Sequence, residues 1–390
     1  MLTCAPAPEP GRSGLALPGC RPQGAAESGC CGAPPVTEFF PTSTHRRRAR
    51  ATVQSLDIQL TRKMSVLTAL LWAALQAGVG LAAAQDVAPT RESLSDAWWT
   101  GPLLAPNAAT LPKGHIYIEP YVYDEMPYAG LDSHGNSHPT PYGNDFGSLT
   151  YINYGLTDRL TVGMIPNFGY DRPADGPASS GVGVGDITLQ AQYGLTPVDP
   201  YSRVPIASIN VQETLPVGRY DHLASPSDGF GSGAYTTTLS TYFMSYFWLP
   251  NGRILRARLD LSYAISGAVS VGDQSVYGTP AGFRGHASPG NSAYGDLAFE
   301  YSMTRNWVVA CDFWFQENGR TRVAGEVAQP GGRMADFQSV SALAQELYIA
   351  PAVEYNWSGR LGVIFGVRVV SVGRNETGTV TPVAAISYFD

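Results

Sequence analysis

The sequence predicts an all-β protein whose fold is an antiparallel transmembrane β-barrel of about twelve strands. Charged residues make up only 15% of its 390 positions, whereas about 25% is usual for a soluble globular chain. Mean hydropathy is nonetheless slightly negative, which excludes a bundle of membrane helices, because each needs about 20 consecutive apolar residues. Finally, stretches of about ten residues alternate between apolar and polar side chains, as membrane-spanning strands do.

The first part of the chain is predicted to be an export signal preceded by an extension. Residues 1–63 are rich in Pro, Gly, Ala and Arg and have no apolar period, so we expect a segment that is disordered or not translated at all. Residues 64–84 contain the apolar run Val66–Leu81 and end in an Ala-x-Ala sequence, which is typical of a signal peptide cleaved before Gln85. We therefore expect an exported protein located in the bacterial outer membrane.

Cysteine and lysine usage after Gln85 excludes several classes of function. Cys311 is the only cysteine in this part of the chain, so neither an internal disulfide nor a zinc site of cysteines is expected. Lys113 is its only lysine, and no basic patch suited to nucleic acid is present. We predict no cofactor, no metal and no nucleic-acid partner.

The clearest strand pattern covers residues 254–265. Its apolar positions are Leu255, Ala257, Leu259, Leu261, Tyr263 and Ile265, and its polar positions are Arg256, Arg258, Asp260 and Ser262. A period of two places these sets on opposite faces of a strand, one suited to lipid and the other to water. The same division recurs in the stretches that begin at Asp186, Ile206, Ala293 and Trp307. A soluble β-sandwich would alternate as well, but its outward face should be polar and charged.

The connections between the predicted strands alternate in length. Short connections cover residues 157–159, 197–204, 249–253, 304–306 and 358–360, and long ones cover residues 125–147, 171–185, 216–233, 266–292 and 317–341, with a shorter one over residues 373–379 before the last strand. Short turns at one end and long loops at the other are typical of outer-membrane barrels, and an even strand number places both termini in the periplasm. Residues 115–390 are therefore predicted to form the barrel, although the last strand, residues 379–389, alternates poorly.

The polar face supplies the candidate lumen-lining side chains. They are Glu119, Tyr121, Asp186, Arg256, Arg258, Asp260, Asp296, Glu300, Asp312, Glu346, Glu354 and Arg368. Charges of both signs on opposing walls can line a wet channel that orients a polar permeant. The alternative is an internal salt-bridge network that only holds the barrel together. Because acids outnumber arginines in this set, an open lumen would disfavour anions.

Residues 85–114 precede the barrel and lack a strand pattern. They contain Trp98, Trp99, Leu103 and Leu104, which are candidates for a plug because exposed tryptophans are costly in water. Two interpretations stay open: the segment folds into the lumen as a hatch does in long-chain fatty-acid transporters, or it remains a periplasmic lead-in.

Three short motifs carry a family resemblance. Residues 98–104 (WWTGPLL), 110–114 (TLPKG) and 183–189 (GVGDITL) resemble the phenol-degradation meta-pathway family of outer-membrane β-barrels, and the likeness covers most of the chain from Trp98 onward. The resemblance implies a porin-like channel or transporter for passive uptake of small hydrophobic or aromatic compounds. It implies no catalytic residues. Outer-membrane lipid and the barrel-assembly machinery are expected partners, although Asp390 follows Phe389 where such barrels generally end in an aromatic residue.

Other functions remain alternatives. A barrel without transport could serve a structural or adhesive role through its long loops. His286 and Ser288 match the His-x-Ser pattern of the outer-membrane phospholipase, but their Gly- and Pro-rich surroundings read as a loop and no orienting partner can be identified. Asp132, His134 and His138 could in principle bind a metal, yet a polar loop tip is the simpler interpretation.

Overall fold

The computed structural model describes residues 90–390, which form a closed antiparallel β-barrel with a smaller second sheet. The predicted extension and signal peptide lie outside the described residues. The strands are β1 (Ile116–Leu131), β2 (Ser137–Pro139), β3 (Asn144–Thr157), β4 (Leu160–Ile165), β5 (Asn167–Arg172), β6 (Gly183–Val184), β7 (Ile187–Gly194), β8 (Ile206–Leu215), β9 (Thr236–Trp248), β10 (Ile254–Ser266), β11 (Val269–Gly272), β12 (Phe283–Ser288), β13 (Ser292–Ser302), β14 (Trp307–Asn318), β15 (Arg322–Ala328), β16 (Met334–Val340), β17 (Ala344–Ser358), β18 (Leu361–Arg374) and β19 (Glu376–Phe389). Single turns of 3-10 helix cover Leu94–Asp96 and Pro226–Asp228. Within residues 90–390, no helix has the length and apolar character needed to cross a membrane.

Twelve strands close the barrel, which confirms the predicted fold class. Their order is β1, β19, β18, β17, β14, β13, β10, β9, β8, β7, β4 and β3, after which β3 pairs with β1. Strand β5 continues β4 beyond Pro166, and both pair with β3. Proline lacks the N–H that a strand interior would use, so the wall is interrupted there.

The two faces of the wall differ as the alternation predicts. On β10, Arg256, Arg258 and Asp260 face inward and are at most 5% exposed, whereas Leu261 faces outward and is 50% exposed. The outer face of the barrel is apolar along its height and suits lipid, while the polar side chains face the lumen.

Several strands are longer than the sequence predicts. The expected connection over residues 125–147 is wrong, because β1 runs to Leu131 and β3 already begins at Asn144. The connection over residues 373–379 is also wrong: β18 and β19 meet at a tight turn in which Asn375 has a φ of 53°, a left-handed conformation that Asn tolerates. Beyond the membrane both faces of a strand meet water, so apolar alternation stops while backbone pairing continues.

The last strand closes the barrel despite its weak pattern. Strand β19 pairs with β18 on one side and with β1 on the other. At its end, the N–H of Asp390 donates to the carbonyl of Ile116 at 3.0 Å, and the ring of Phe389 stacks on His115. The start of β1 and the end of β19 therefore lie at the same end of the barrel, which we call the periplasmic end.

At the opposite end, the long connections form a second sheet. Strands β11, β12, β15 and β16 pair in that order, although the sequence predicts only loops over residues 266–292 and 317–341. Phe283, Ala287 and Val323 form its buried face together with Tyr220 from the β8–β9 connection. We call this sheet and residues 216–235 the extracellular cap. Its strands are only four to seven residues long, too short for alternation to distinguish them from turns.

Candidate functional site

The predicted lumen residues are all buried. Each of the twelve is at most 8% exposed, and eleven lie on the barrel strands. Asp186 is the exception, since it directly precedes β7 and its carboxylate accepts hydrogen bonds from the N–H groups of Gly218 and Ser232. It therefore attaches the extracellular cap to the wall.

A buried ionic cluster lies near the periplasmic end. The carboxylate of Glu300 on β13 accepts hydrogen bonds from Arg256 Nε at 2.6 Å and Arg258 Nε at 2.9 Å, both on β10. Arg256 Nη2 makes a further bond to the same carboxylate. Two guanidinium groups thus share one carboxylate that is fully buried, an arrangement in which each charge depends on the others.

The N-terminal segment, residues 90–114, is bound to this wall through its backbone. Asp312 on β14 accepts hydrogen bonds from the N–H groups of Leu103, Leu104 and Ala105 at 3.0 to 3.2 Å. The carbonyl of Ala105 accepts a hydrogen bond from Arg258 Nη1 at 3.0 Å. Three donors converging on one carboxylate hold the chain locally in a single conformation.

A second carboxylate binds the same segment closer to the periplasm. Glu354 on β17 accepts a hydrogen bond from the N–H of Thr100 at 2.6 Å, and the Thr100 hydroxyl donates to Asn356 at 2.9 Å. Gly101 follows with a φ of 130° and faces Arg258. Only glycine adopts this conformation without strain, which explains the glycine between two anchored residues.

The plug candidates Trp98 and Trp99 stack on arginines. The guanidinium of Arg305 lies 4.3 Å from the centroid of the Trp98 ring, and that of Arg256 lies 4.5 Å from the Trp99 ring. Such cation–π contacts reduce the cost of placing both groups away from water. Arg256 therefore contacts the segment and the Glu300 cluster together.

Leu103 and Leu104 contact two apolar clusters of the inner wall. Leu103 is 5% exposed and packs among Ala310, Ala350 and Ile364. Leu104 packs against the same cluster and against a second one that contains Trp314. The structure thus places Trp99, Leu103 and Leu104 against the inner wall, whereas Trp98 lies at the periplasmic rim beside the turns that contain Arg305 and Gly359.

An aromatic surface in the lumen was not anticipated from the sequence. Tyr294, Trp314 and Tyr348 lie on the neighbouring strands β13, β14 and β17 and form the aromatic platform. Tyr294 and Trp314 stack with centroids 4.7 Å apart, and Trp314 and Tyr348 with centroids 6.3 Å apart. On its strand, each of the three lies two residues from a predicted lumen residue, as Trp314 does from Asp312, and therefore faces the same way. Extending the alternation to aromatic side chains would have found them.

The remaining predicted residues are spread over the inner wall. Glu119 lies between Tyr117 and Tyr121 on β1 and hydrogen-bonds both, and Tyr121 meets Tyr151 edge to face. On β10, Asp260 accepts a hydrogen bond from Ser262 at 2.7 Å. Arg368 and Glu346 lie nearer the extracellular end, where Arg368 forms an ion pair with Glu125 and Glu346 hydrogen-bonds Tyr348. Asp296 lies beside Asp312.

A separate anchor fixes the start of the segment at the periplasmic rim. The carboxylate of Glu92 accepts hydrogen bonds from Arg253 Nη1 at 2.8 Å and the Ser302 hydroxyl at 3.0 Å. Its carbonyl accepts one from Trp248 Nε1 at 2.8 Å. Nothing in the sequence singles out Glu92, because its partners lie at two turns that are distant from it along the chain.

The metal and hydrolase alternatives fall on the extracellular side. The Asp132 carboxylate accepts hydrogen bonds from the N–H groups of His134 and Asn136, both at 2.8 Å. The Asn136 side chain and these backbone donors hold the pKa of Asp132 well below its usual range. In the hydrolase motif, His286 Nδ1 lies 3.4 Å from the hydroxyl of Ser270, so the imidazole faces that residue.

Comparisons with known proteins agree with this architecture. A family described as "Putative MetA-pathway of phenol degradation" matches residues 137–382. No curated protein matches the chain. Among solved structures, an outer-membrane channel from Pseudomonas putida F1 is 15% identical, with a TM-score of 0.53 and an alignment covering 74% of this chain and 100% of that chain. This likeness shows a shared fold.

Two toluene transporters are more distant structural neighbours. The one from P. putida is 14% identical with a TM-score of 0.34, and the alignment covers 75% of this chain and 95% of that chain. The one from Ralstonia pickettii is 10% identical with a TM-score of 0.31, covering 71% and 90% respectively. At these scores neither supports an argument about this chain.

Proposed function

Because the chain belongs to the family described as the MetA pathway of phenol degradation and has an outer-membrane barrel fold, we propose that it is a channel for passive uptake of small hydrophobic or aromatic compounds. The wall of such a barrel faces lipid, and its lumen is the only route that avoids the bilayer. Passage then depends on what the lumen contains.

The observation that carries this proposal is the way in which the interior is filled. Barrels of about eight strands are filled by their own wall side chains, and wider ones need something more. Here the N-terminal segment supplies Leu103, Leu104 and its backbone to the interior. A filling that is separate from the wall can be displaced while the barrel stays folded, which a channel requires and a purely structural barrel does not.

The N-terminal segment is proposed to act as a plug whose contacts can be broken without breaking a strand. Its contacts include those with Asp312, Glu354 and the arginines of β10, together with those of Glu92 and Trp98 at the periplasmic rim, and none of them is a hydrogen bond between two strands. Detaching it would leave a lumen lined by the buried acids and by the aromatic platform. An excess of acids in that lumen would disfavour anions.

The other partners follow from the outer surface and the chain end. The apolar outer face is proposed to contact outer-membrane lipid, with Leu261 and Phe365 among its most exposed side chains. The barrel-assembly machinery is the proposed route of insertion. The N–H of Asp390 donates to the carbonyl of Ile116 on β1, and the N–H of Phe389 donates to the carbonyl of Arg360 in the β17–β18 turn. Replacing Asp390 would test whether a residue after the aromatic one slows assembly.

Planar-bilayer conductance of the refolded mature chain tests the channel. We expect discrete, voltage-independent openings and faster uptake of a radiolabelled aromatic compound by cells that produce the protein than by cells that do not. Absence of both conductance and solute uptake would defeat the proposal.

Deleting residues 85–106 tests the plug. The deletion removes the segment, including residues 103–105 that contact Asp312, but leaves every barrel strand in place. Single-channel conductance should therefore rise. A deletion variant that folds and conducts as the parent does would rule out plugging.

An adhesive role is the second candidate, and the extracellular cap favours it. The outer face of the cap sheet carries Arg284, Glu326 and Asp336 side by side on three strands. Removing residues 267–291 should abolish adhesion and leave conductance intact if this role applies.

A further inference from the structure

Leu103 occupies a recess in the inner wall. The wall around it is built from the small side chains of Ala310, Ala350, Ala352 and Ala385, which lie on three strands. Gly366 on β18 completes the recess, since a Cβ there would come within 2.6 Å of Leu103 Cδ1. Neighbouring strands therefore recede together at one level and leave room for a group that the wall does not supply.

Leu104 connects this recess with the aromatic platform. It packs against both apolar clusters, one centred on the recess and the other containing the platform. The planes of Tyr294 and Trp314 differ by 13° and those of Trp314 and Tyr348 by 24°, so the three rings form one face-to-face stack along the inner wall. Such a stack suits another ring, because aromatic pairs in edge-to-face or offset arrangements gain beyond the apolar area they bury.

A polar group borders the same volume. On the inward face of β18, Arg368 lies between Gly366 of the recess and Val370 of the platform cluster. It is 3% exposed, and its guanidinium lies 5.1 Å from the Tyr348 ring. Within residues 90–390 its Nε has no hydrogen-bond partner. A buried donor without an acceptor is costly, and the hydroxyl oxygen of a phenol would satisfy it.

We propose that Leu103 and Leu104 occupy the binding site of the aromatic solute, so that a neutral phenolic ring and these two side chains compete for one apolar volume. The inference rests on the proposed function and gives it a site. The recess and the platform hold the ring, and Arg368 meets its hydroxyl group.

Competition is possible because the anchoring and the filling use different atoms. The backbone of residues 103–105 is held by Asp312, whereas the two leucine side chains make apolar contacts. Truncating the side chains therefore empties the volume and leaves the anchor in place. Apolar cavities of this kind stay dry and bind small aromatic molecules. A site that is mostly self-occupied binds its ligand with an affinity reduced in proportion to the fraction of time it is open.

The test is equilibrium binding of 4-fluorophenol to the refolded mature chain in detergent micelles, followed by fluorine NMR against protein-free micelles. The double variant Leu103→Ala/Leu104→Ala should bind at least about tenfold more tightly than the parent. Leu223→Ala is the matched control, because Leu223 is a buried leucine outside the lumen, in the extracellular cap. It should bind as the parent does.

Adding Trp314→Leu to the double variant should remove most of the gain, since the platform loses its central ring. If the double variant does not fold, Leu104→Ala alone should still tighten binding about threefold. Unchanged affinity in the truncated variants, or equal tightening in Leu223→Ala, would overturn the inference. Binding requires no passage, so tight binding without conductance would refute only the channel, and conductance with unchanged binding would refute only the site.

Discussion

The lumen and the extracellular cap are both held together by carboxylates, but in opposite surroundings. In the lumen, Glu300 and Asp312 are 0% exposed and bind arginines and backbone N–H groups. In the cap, the Asp273 side chain is 48% exposed and binds His222 and the N–H of Gly282. The hydrogen-bond donors are similar in the two regions, so we expect the contacts in the lumen and in the cap to differ in strength because only the cap contacts are exposed to water.

Because the lumen contacts are buried, each charged group there is stable only when all its partners are present. Removing one member of a buried ion pair leaves an uncompensated charge, whereas water replaces the missing partner of an exposed pair. The lumen should therefore respond strongly to single substitutions and the cap only weakly, except where the cap has an apolar core.

The largest effect is expected for Glu300→Gln. Arg256 and Arg258 would then share no carboxylate, and breaking a buried pair in this way costs about 3–5 kcal/mol. The free energy of unfolding, measured by urea titration in lipid vesicles, should fall by that amount.

Glu326→Gln in the cap is the matched control. Glu326 is exposed and lies across from Arg284, so the same substitution should change the free energy of unfolding by no more than about 0.5 kcal/mol. Equal losses at both positions would show that burial does not decide the outcome.

The next effect concerns attachment of the N-terminal segment. Asp312→Ala deprives the N–H groups of residues 103–105 of their acceptor, and hydrogen bonds to a charged group contribute about 1.5–3 kcal/mol each. Amide hydrogens of these residues should exchange at least about a hundredfold faster, as a loss of about 2.7 kcal/mol implies. Asp296→Ala is the control, because Asp296 lies beside Asp312 but binds none of these N–H groups. Equally fast exchange in both variants would contradict the anchoring role.

The same contrast explains what the sequence could predict. Alternation on β10 places Arg256, Arg258 and Asp260 on one face, and all three are buried, because a period of two fixes the face of a residue. It does not fix the height of that residue in the barrel. Alternation would have assigned the three rings of the aromatic platform to the inner face, but it predicts neither their stacking nor the triple contact at Asp312, because both depend on height.

The errors have the same origin. Asp186 matches the inward pattern, yet β7 begins only after it, and its carboxylate holds the cap. The short cap strands lie in segments rich in Gly, Ser and Pro. Contacts between distant loops decide their backbone pairing, so the sequence of these segments shows little apolar–polar alternation.

A smaller, local effect is expected in the cap core. Val323→Ala removes two methylene equivalents from a side chain that is 4% exposed, which costs about 2 kcal/mol including the cavity. Amide exchange on β12 and β15 should accelerate while that of the barrel strands stays unchanged. Acceleration throughout the barrel would mean that cap and barrel unfold as one unit, and the contrast between them would fail.

The smallest effect is a response of the cap to acid. The Gly282 N–H, followed by His222, lowers the pKa of Asp273. A carboxyl whose folded pKa is lowered stabilises the fold above its unfolded pKa, about 3.9, and loses that contribution as pH falls through the folded value. Parent and Asp273→Asn should therefore differ at neutral pH and become alike in strong acid.

The measurement is the rate at which an acid protease cleaves the cap. The rates for the parent and for Asp273→Asn are compared at each pH between about 2 and 5. The ratio cancels the protease's own pH dependence. The variant should be cleaved faster at the upper end, and the two rates should converge towards the lower end. Because Asp273 is exposed, water and salt screen its interactions, and added salt should shrink the difference further. A ratio that stays constant across the range would mean that Asp273 does not hold the cap, which would leave the apolar contacts of Val323 and Phe283 as its main support.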